Sequence, residues 1–164
     1  RPFLYFAYGA AVSEVVVDTL TGENKLLQVV IIHDVGKSIN KRIDKGQIEG
    51  GFIQGQGWLT MEEVVWGNDG IIKTFSPSTY KIPAVTDIPK IFNVEIFKNG
   101  LNVEEVVNKA KTTGEPPLML AMSVFFAIKD AIASISNYNT IPDLSAPATA
   151  EKILLSIKNL KNIV

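Results

Sequence analysis

The chain has 164 residues, 46% hydrophobic and 20% charged, with a net charge of -1 at pH 7 and no cysteine. That is enough for a single domain, 1–164, with its own core. The near-neutral balance gives no reason to expect nucleic acid or an acidic membrane as partner. The lack of cysteine excludes disulfides, thiolate metal sites and protein-ligated iron–sulfur clusters within this chain.

The first residues, Arg1-Pro2-Phe3, run almost directly into strand-like sequence with no Met, which suggests a piece of something longer. Residues 5–18 read as a strand, rich in β-branched and aromatic side chains and ending Val15-Val16-Val17. A turn over 19–24 follows, where Gly22 and Asn24 tolerate positive φ. Residues 25–32 then complete a hairpin. Its near-continuous apolar runs suggest that parts of both faces are covered. His33, the only histidine, closes the second strand. It lacks companion ligands for a metal site and reads as structural. A Ser/His/Asp relay through His33 and Asp34 is discounted because no nucleophile elbow accompanies them.

Asn40 is a fair N-cap for a helix from about 41 to about 65. Ile43, Ile48, Phe52, Trp58, Leu59 and Met61 supply its apolar surface. Gly46, Gly50, Gly51, Gly55 and Gly57 stand within it, and each interior glycine costs about 1 kcal/mol relative to alanine. Gly46/Gly50 and Gly51/Gly55 are i,i+4 pairs, so bare backbone is presented in lines, with Gln47 and Gln54 pointing one way. Such a face accepts either a bulky polar ligand or a closely packed neighbouring element.

Asn68-Asp69-Gly70 signals a turn before a short strand over 71–75. Residues 76–83 are irregular, punctuated by Pro77 and Pro83. Residues 92–97 alternate as a half-buried strand. Residues 102–111 read as loop with a possible short helix. A helix over about 116–135 has no polar stripe and is expected to be buried on all sides. Its apolar run, Leu118 to Ile128, is shorter than the roughly 20 residues that span a bilayer. Glu115 stands at its mouth, before Pro116-Pro117, and is expected to be extended and just outside the helix. The helix N-terminus favours its anionic form and burial the neutral one. Glu115 is thus either a general base or a simple helix cap. A last helix, about 148–162, places Ile153, Leu154, Ile157, Leu160 and Val164 on one face. The fold class expected is α+β, a mixed sheet with hairpins packed against the glycine-rich, buried and C-terminal helices.

Four ordered motifs carry a family resemblance: Gly46-Gln47-Ile48-Glu49-Gly50-Gly51-Phe52-Ile53-Gln54-Gly55, Pro77-Ser78-Thr79-Tyr80-Lys81-Ile82-Pro83, Gly114-Glu115-Pro116-Pro117-Leu118 and Asp143-Leu144-Ser145-Ala146-Pro147-Ala148-Thr149. The chain resembles the C-terminal part of the molybdopterin-binding subunit of the xanthine dehydrogenase/aldehyde oxidase family, the molybdenum hydroxylases. The resemblance implies oxidative hydroxylation of a purine (xanthine or hypoxanthine) or related N-heterocycle with water-derived oxygen. Alternatives are an aldehyde oxidase-type enzyme and a non-catalytic assembly module. It implies that Glu115 matches the family's base, taking a proton from a metal-bound hydroxyl. It also implies that Gln47, with Gly46 and Gly50 beside it, faces the molybdopterin cofactor (the molybdenum cofactor). No direct metal ligand is expected here. Iron–sulfur clusters and FAD are expected in other domains or subunits, and the rest of the molybdopterin-binding subunit is a partner. A cytoplasmic oligomer without membrane or nucleic-acid partners is expected, the fragment alone being inactive.

Overall fold

The computed structural model describes residues 3–163, which form a three-stranded sheet with helices packed on one face. Strand β1 (Gly9–Val17) runs antiparallel to β2 (Asn24–His33), from Gly9 opposite His33 to Val17 opposite Asn24, with a register shift between Glu14 and Val15. Gly22 turns the chain at φ +77°, and a Cβ there would strike the Ala150 carbonyl. The turn therefore needs glycine for its conformation and for its close approach to the last helix. Asn24 does not use positive φ and already belongs to β2. Strand β3 (Ile91–Ile96) pairs with β2 in parallel, from Gln28 opposite Ile91 to His33 opposite Ile96. The sheet is thus mixed, in the order β1-β2-β3.

Helix α1 (Lys41–Thr60) starts where expected. The Asn40 side chain accepts hydrogen bonds from the Arg42 and Ile43 amides, satisfying donors that the helix leaves orphaned. The helix stops earlier than 65. Both the Met61 and Glu62 amides turn back to the Gly57 carbonyl, and Pro83 is pressed against Gly57. The second hairpin reduces to one bridge, Trp66 with Ile72, and residues 71–75 form no strand because no neighbouring strand completes their hydrogen bonds. Residues 102–111 are loop with one 3-10 turn, Val107–Lys109.

The helix expected over 116–135 is composite. A 3-10 turn, Pro116–Ala121, leads into α2 (Met122–Ala133) and a final turn, Ser134–Ser136. Val124, Ile128 and Ile132 are buried against the sheet, but Met119, Met122 and Phe126 are exposed. Burial on all sides is therefore corrected to burial on one. The 21 residues Pro116–Ser136 are together long and apolar enough to cross a bilayer, so the shortness of the apolar run is no argument against a span. The helix instead lies along β1 and beside α1, and the Ser123 and Ser13 hydroxyls bond across that contact at 2.7 Å.

Helix α3 (Ala150–Ile163) buries Ile153, Ile157 and Leu160 and leaves Leu154 half-buried. The expectation for Val164 lies outside the described residues. The core gathers Leu26, Val29 and Ile31 of β2, Ile48 and Phe52 of α1, and Val94 of β3. Phe52 packs on Phe92 with ring centroids 5.6 Å apart. The opposite face of β1 and β2 leaves Val12, Val16, Val30 and Ile32 exposed, so the hairpin is covered on one side and not on two.

Candidate functional site

The Glu115 segment is held by the glycine face of α1. A Cβ on Gly51 would lie 3.1 Å from the Gly114 carbonyl oxygen and 3.3 Å from Pro117 Cβ. One turn on, a Cβ on Gly55 would lie 2.8 Å from Ala121 Cβ and would overlap the Leu118 carbonyl. Bare backbone at these two positions is what lets Pro116–Ala121 pack directly on α1. Gly46 and Gly50 differ, since a Cβ at either would meet nothing within 4 Å. The two i,i+4 glycine pairs are thus divided, one against a neighbour and one open.

Gln47 stands one turn before Gly51, on the side that faces the Glu115 segment. Its Oε1 lies 3.5 Å from where a Gly114 Cβ would be. Gln47 and Gln54 are both exposed. Ile43, Gln47, Gln54 and Trp58 follow one another at helical spacing, so an open helix face runs beside Glu115.

Glu115 occupies the N-cap position with φ -101° and ψ -39°, in the helical region rather than extended. Pro116 restricts but does not forbid this. Its carbonyl accepts from the Leu118 amide at 3.0 Å, while its side chain makes no capping bond. Glu115 is exposed, so the burial expected of it is not found among the described residues. Helix capping, the simple structural reading, is not what the side chain does. The structure brings Gln47 and the Glu115 segment together, while Gly46 and Gly50 lie on the adjoining open side of α1.

A match to the family model described as "Molybdopterin cofactor-binding domain" covers residues 1–89, which include the glycine face and Gln47. The chain is 48% identical over 166 residues to xanthine dehydrogenase of Oryza sativa subsp. japonica, a match covering 94% of this chain and 12% of that protein. It is 49% identical over 159 residues to xanthine dehydrogenase/oxidase of Mus musculus, covering 93% and 12%. The chain belongs to the molybdopterin-binding family of xanthine dehydrogenase and aldehyde oxidase. It spans about 12% of the length of these curated relatives. Among solved structures, this molybdopterin-binding family chain resembles quinoline 2-oxidoreductase from Pseudomonas putida 86, with TM-score 0.76 and 28% identity. That match covers 87% of this chain and 17% of the other.

This family member also carries a buried polar cluster at the end of β2, not evident from the sequence. Lys111 Nζ donates to Asp34 Oδ2 at 2.5 Å, with the side chains only 5% and 9% exposed. The same ammonium sits 5.2 Å from the Tyr8 ring centroid. His33 beside it is buried, and its Nδ1 has no hydrogen-bond partner among the described residues. Burial lowers the His33 pKa below its ordinary value, while Asp34 raises it less strongly and Lys111 lowers it further. His33 and Asp34 were visible as the end of a strand, but nothing local in the sequence names Lys111, 77 positions away, as their neighbour.

Proposed function

We propose that this chain, as a single domain over 1–164, is the C-terminal part of the molybdopterin-binding subunit of a molybdenum hydroxylase, with Glu115 as its general base. The reaction is the oxidative hydroxylation of a purine, xanthine or hypoxanthine, or of a related N-heterocycle, with oxygen from water. The observation that carries it is an exposed Glu115 carboxylate, free of any capping bond, on a segment packed against Gly51 and Gly55. The names of the relatives, xanthine dehydrogenase and quinoline 2-oxidoreductase, support the substrate class.

The open side of α1 fits a cofactor wall. Gly46 and Gly50 offer bare backbone with no neighbour, and the exposed Gln47 amide has no hydrogen-bond partner among the described residues. Gln47 would hold molybdopterin by its amide, and the two glycines would let it approach the helix closely. Bound molybdopterin supplies the metal centre at which oxygen from water is activated and electrons are collected. Glu115 would accept the proton that water gives up when its oxygen is transferred to the substrate carbon. The Pro116–Ala121 turn fixes where the carboxylate waits. Iron–sulfur clusters and FAD in other domains or subunits would take up the electrons, in a cytoplasmic oligomeric enzyme whose isolated fragment is inactive.

The test is Glu115→Gln in the complete, molybdenum-loaded enzyme with xanthine as substrate. A positioned general base contributes roughly 100- to 10,000-fold. A loss of kcat in that range at unchanged molybdenum content is expected. Near-normal turnover removes Glu115 from the mechanism.

A further inference from the structure

The segment that delivers Glu115 is anchored at two ends, by hydrogen bonds up to Thr112 and by the contact of Gly114 and Pro117 with Gly51. The Lys111 amide donates to the Val35 carbonyl at 2.8 Å, and the Lys37 amide donates to the Lys109 carbonyl at 3.1 Å. Asn102 Nδ2 donates to the Ala110 carbonyl at 3.1 Å, and the Thr112 amide donates to Tyr5 Oη at 3.2 Å. Asp34 completes the joint from the other side, its Oδ1 accepting from the Gly36 amide at 2.8 Å while Oδ2 takes the Lys111 ammonium. Lys111, like Asp34 and Lys109 at the same joint, is tied down by backbone and side chain alike. From it the chain has three residues to cross before Glu115, with the Gly114 carbonyl against Gly51 at the far end.

A buried ion pair is a poor device for stability, because desolvation offsets most of the attraction. Its directional bonds do fix geometry, and here the geometry is that of the strut ending at Glu115. We propose that the buried Lys111–Asp34 pair is a positioning device for the Glu115 carboxylate, locking the end of β2 to the segment 111–115 so that the base stands at a fixed place. This rests on the reading of Glu115 as the base. Lys111 and Asp34 touch neither substrate nor cofactor in this scheme and act only through Glu115. A displacement of about 1 Å in a reacting group costs on the order of 100-fold in rate, so small slack in the strut has a large effect on turnover.

The experiment uses the complete, molybdenum-loaded enzyme with xanthine as the probe, and all rates are taken per bound molybdenum. Replacing one partner alone strands a buried charge, so the pair is neutralised together as Asp34→Asn/Lys111→Met. The expected result is a roughly 10- to 100-fold fall in kcat with KM within about 2-fold. Faster amide hydrogen exchange over residues 112–118, but not over β1, accompanies it. In a Glu115→Gln background the same neutralisation adds no further loss, because the pair acts only through that carboxylate. Should the neutral pair fail to load molybdenum, Lys111→Arg carries the test. It keeps the charge, shifts the anchor, and is expected to lower kcat with KM preserved. Unchanged kcat and unchanged exchange in the variant that loads overturns the proposal, as does a loss that multiplies with Glu115→Gln. If Glu115→Gln itself turns over normally, the base reading fails and takes this inference with it. If Glu115→Gln loses turnover while the neutralised pair keeps its full kcat, the positioning role alone is refuted.

Discussion

Alanine at Gly50 and alanine at Gly55 are expected to act with opposite signs, although both replace a glycine inside one helix. At Gly50 the new methyl meets nothing within 4 Å, so only backbone propensity changes, and alanine is favoured by about 1 kcal/mol. At Gly55 the methyl would sit 2.8 Å from Ala121 Cβ and inside the Leu118 carbonyl. That is roughly 1 Å short of ordinary carbon–carbon contact. Both obstacles belong to the docked segment, so backbone must move. Overpacking costs typically 1–3 kcal/mol, and a clash with backbone belongs at the upper end of that range. Subtracting about 1 kcal/mol of propensity leaves a net loss of about 2 kcal/mol. Amide exchange of α1 in the complete protein reads both changes as local opening. Gly50→Ala is expected to slow it about 5-fold and Gly55→Ala to speed it about 30-fold. If Gly50 also borders the cofactor, its variant combines a firmer helix with a lower molybdenum content. Equal and same-signed effects at the two positions would refute the division of the glycines. A firmer Gly50→Ala helix with full molybdenum would remove Gly50 from the cofactor wall.

Two further outcomes complement the Glu115→Gln and Lys111–Asp34 experiments. His33 has a folded-state pKa below its ordinary 6.5, so the unfolded chain binds more protons below that pH. The stability this contributes is fully present above pH 6.5 and is lost as the pH falls towards the lowered folded value. Intrinsic-rate-corrected exchange of β2 is expected to show this slope, and His33→Gln to flatten it; an unchanged slope would show that another group titrates there. Asn40→Ala removes the cap on α1 and is expected to cost about 1 kcal/mol, seen as roughly 5-fold faster exchange in its first turn. Asn40→Asp restores it, and indifference to alanine would mean that the first turn is held by something else.

The hairpin, the Asn40 cap and the apolar face of α3 were legible because each is written in local signals: β-branched runs, one capping side chain, a 3.6-residue period. The end of α1 was not, because it is marked by Met61 and Glu62 folding back on Gly57, where Pro83, far along the chain, packs close. The strand over 71–75 had the right residues and no neighbour to pair with. The composite helix shows another limit. Continuous apolar sequence does not say which side is covered, and here Val124, Ile128 and Ile132 are buried while Met119, Met122 and Phe126 are not. At the candidate site the motif named Gln47, Gly46, Gly50 and Glu115, and the resemblance suggested their roles. Spacing alone left the glycines between packing and ligand contact. It also left Glu115 between cap and base. Only the coordinates separate Gly51 and Gly55, which pack, from Gly46 and Gly50, which stand open, and only they show the Glu115 carboxyl uninvolved in capping.

The mixed sheet has a consequence for the order of assembly. β2 meets β1 across a tight turn, closed by hydrogen bonds between Asp18 and both Glu23 and Gly22, so that ribbon is a local event. β2 meets β3 only after α1 and the whole connection 61–90 have found their places, and such long loops close slowly. The ledge on which Glu115 rests depends on α1, and Phe52 of α1 finds Phe92 only once β3 is in line. A newborn chain is therefore expected to complete its ribbon early and to seat the Glu115 segment among the last of its parts.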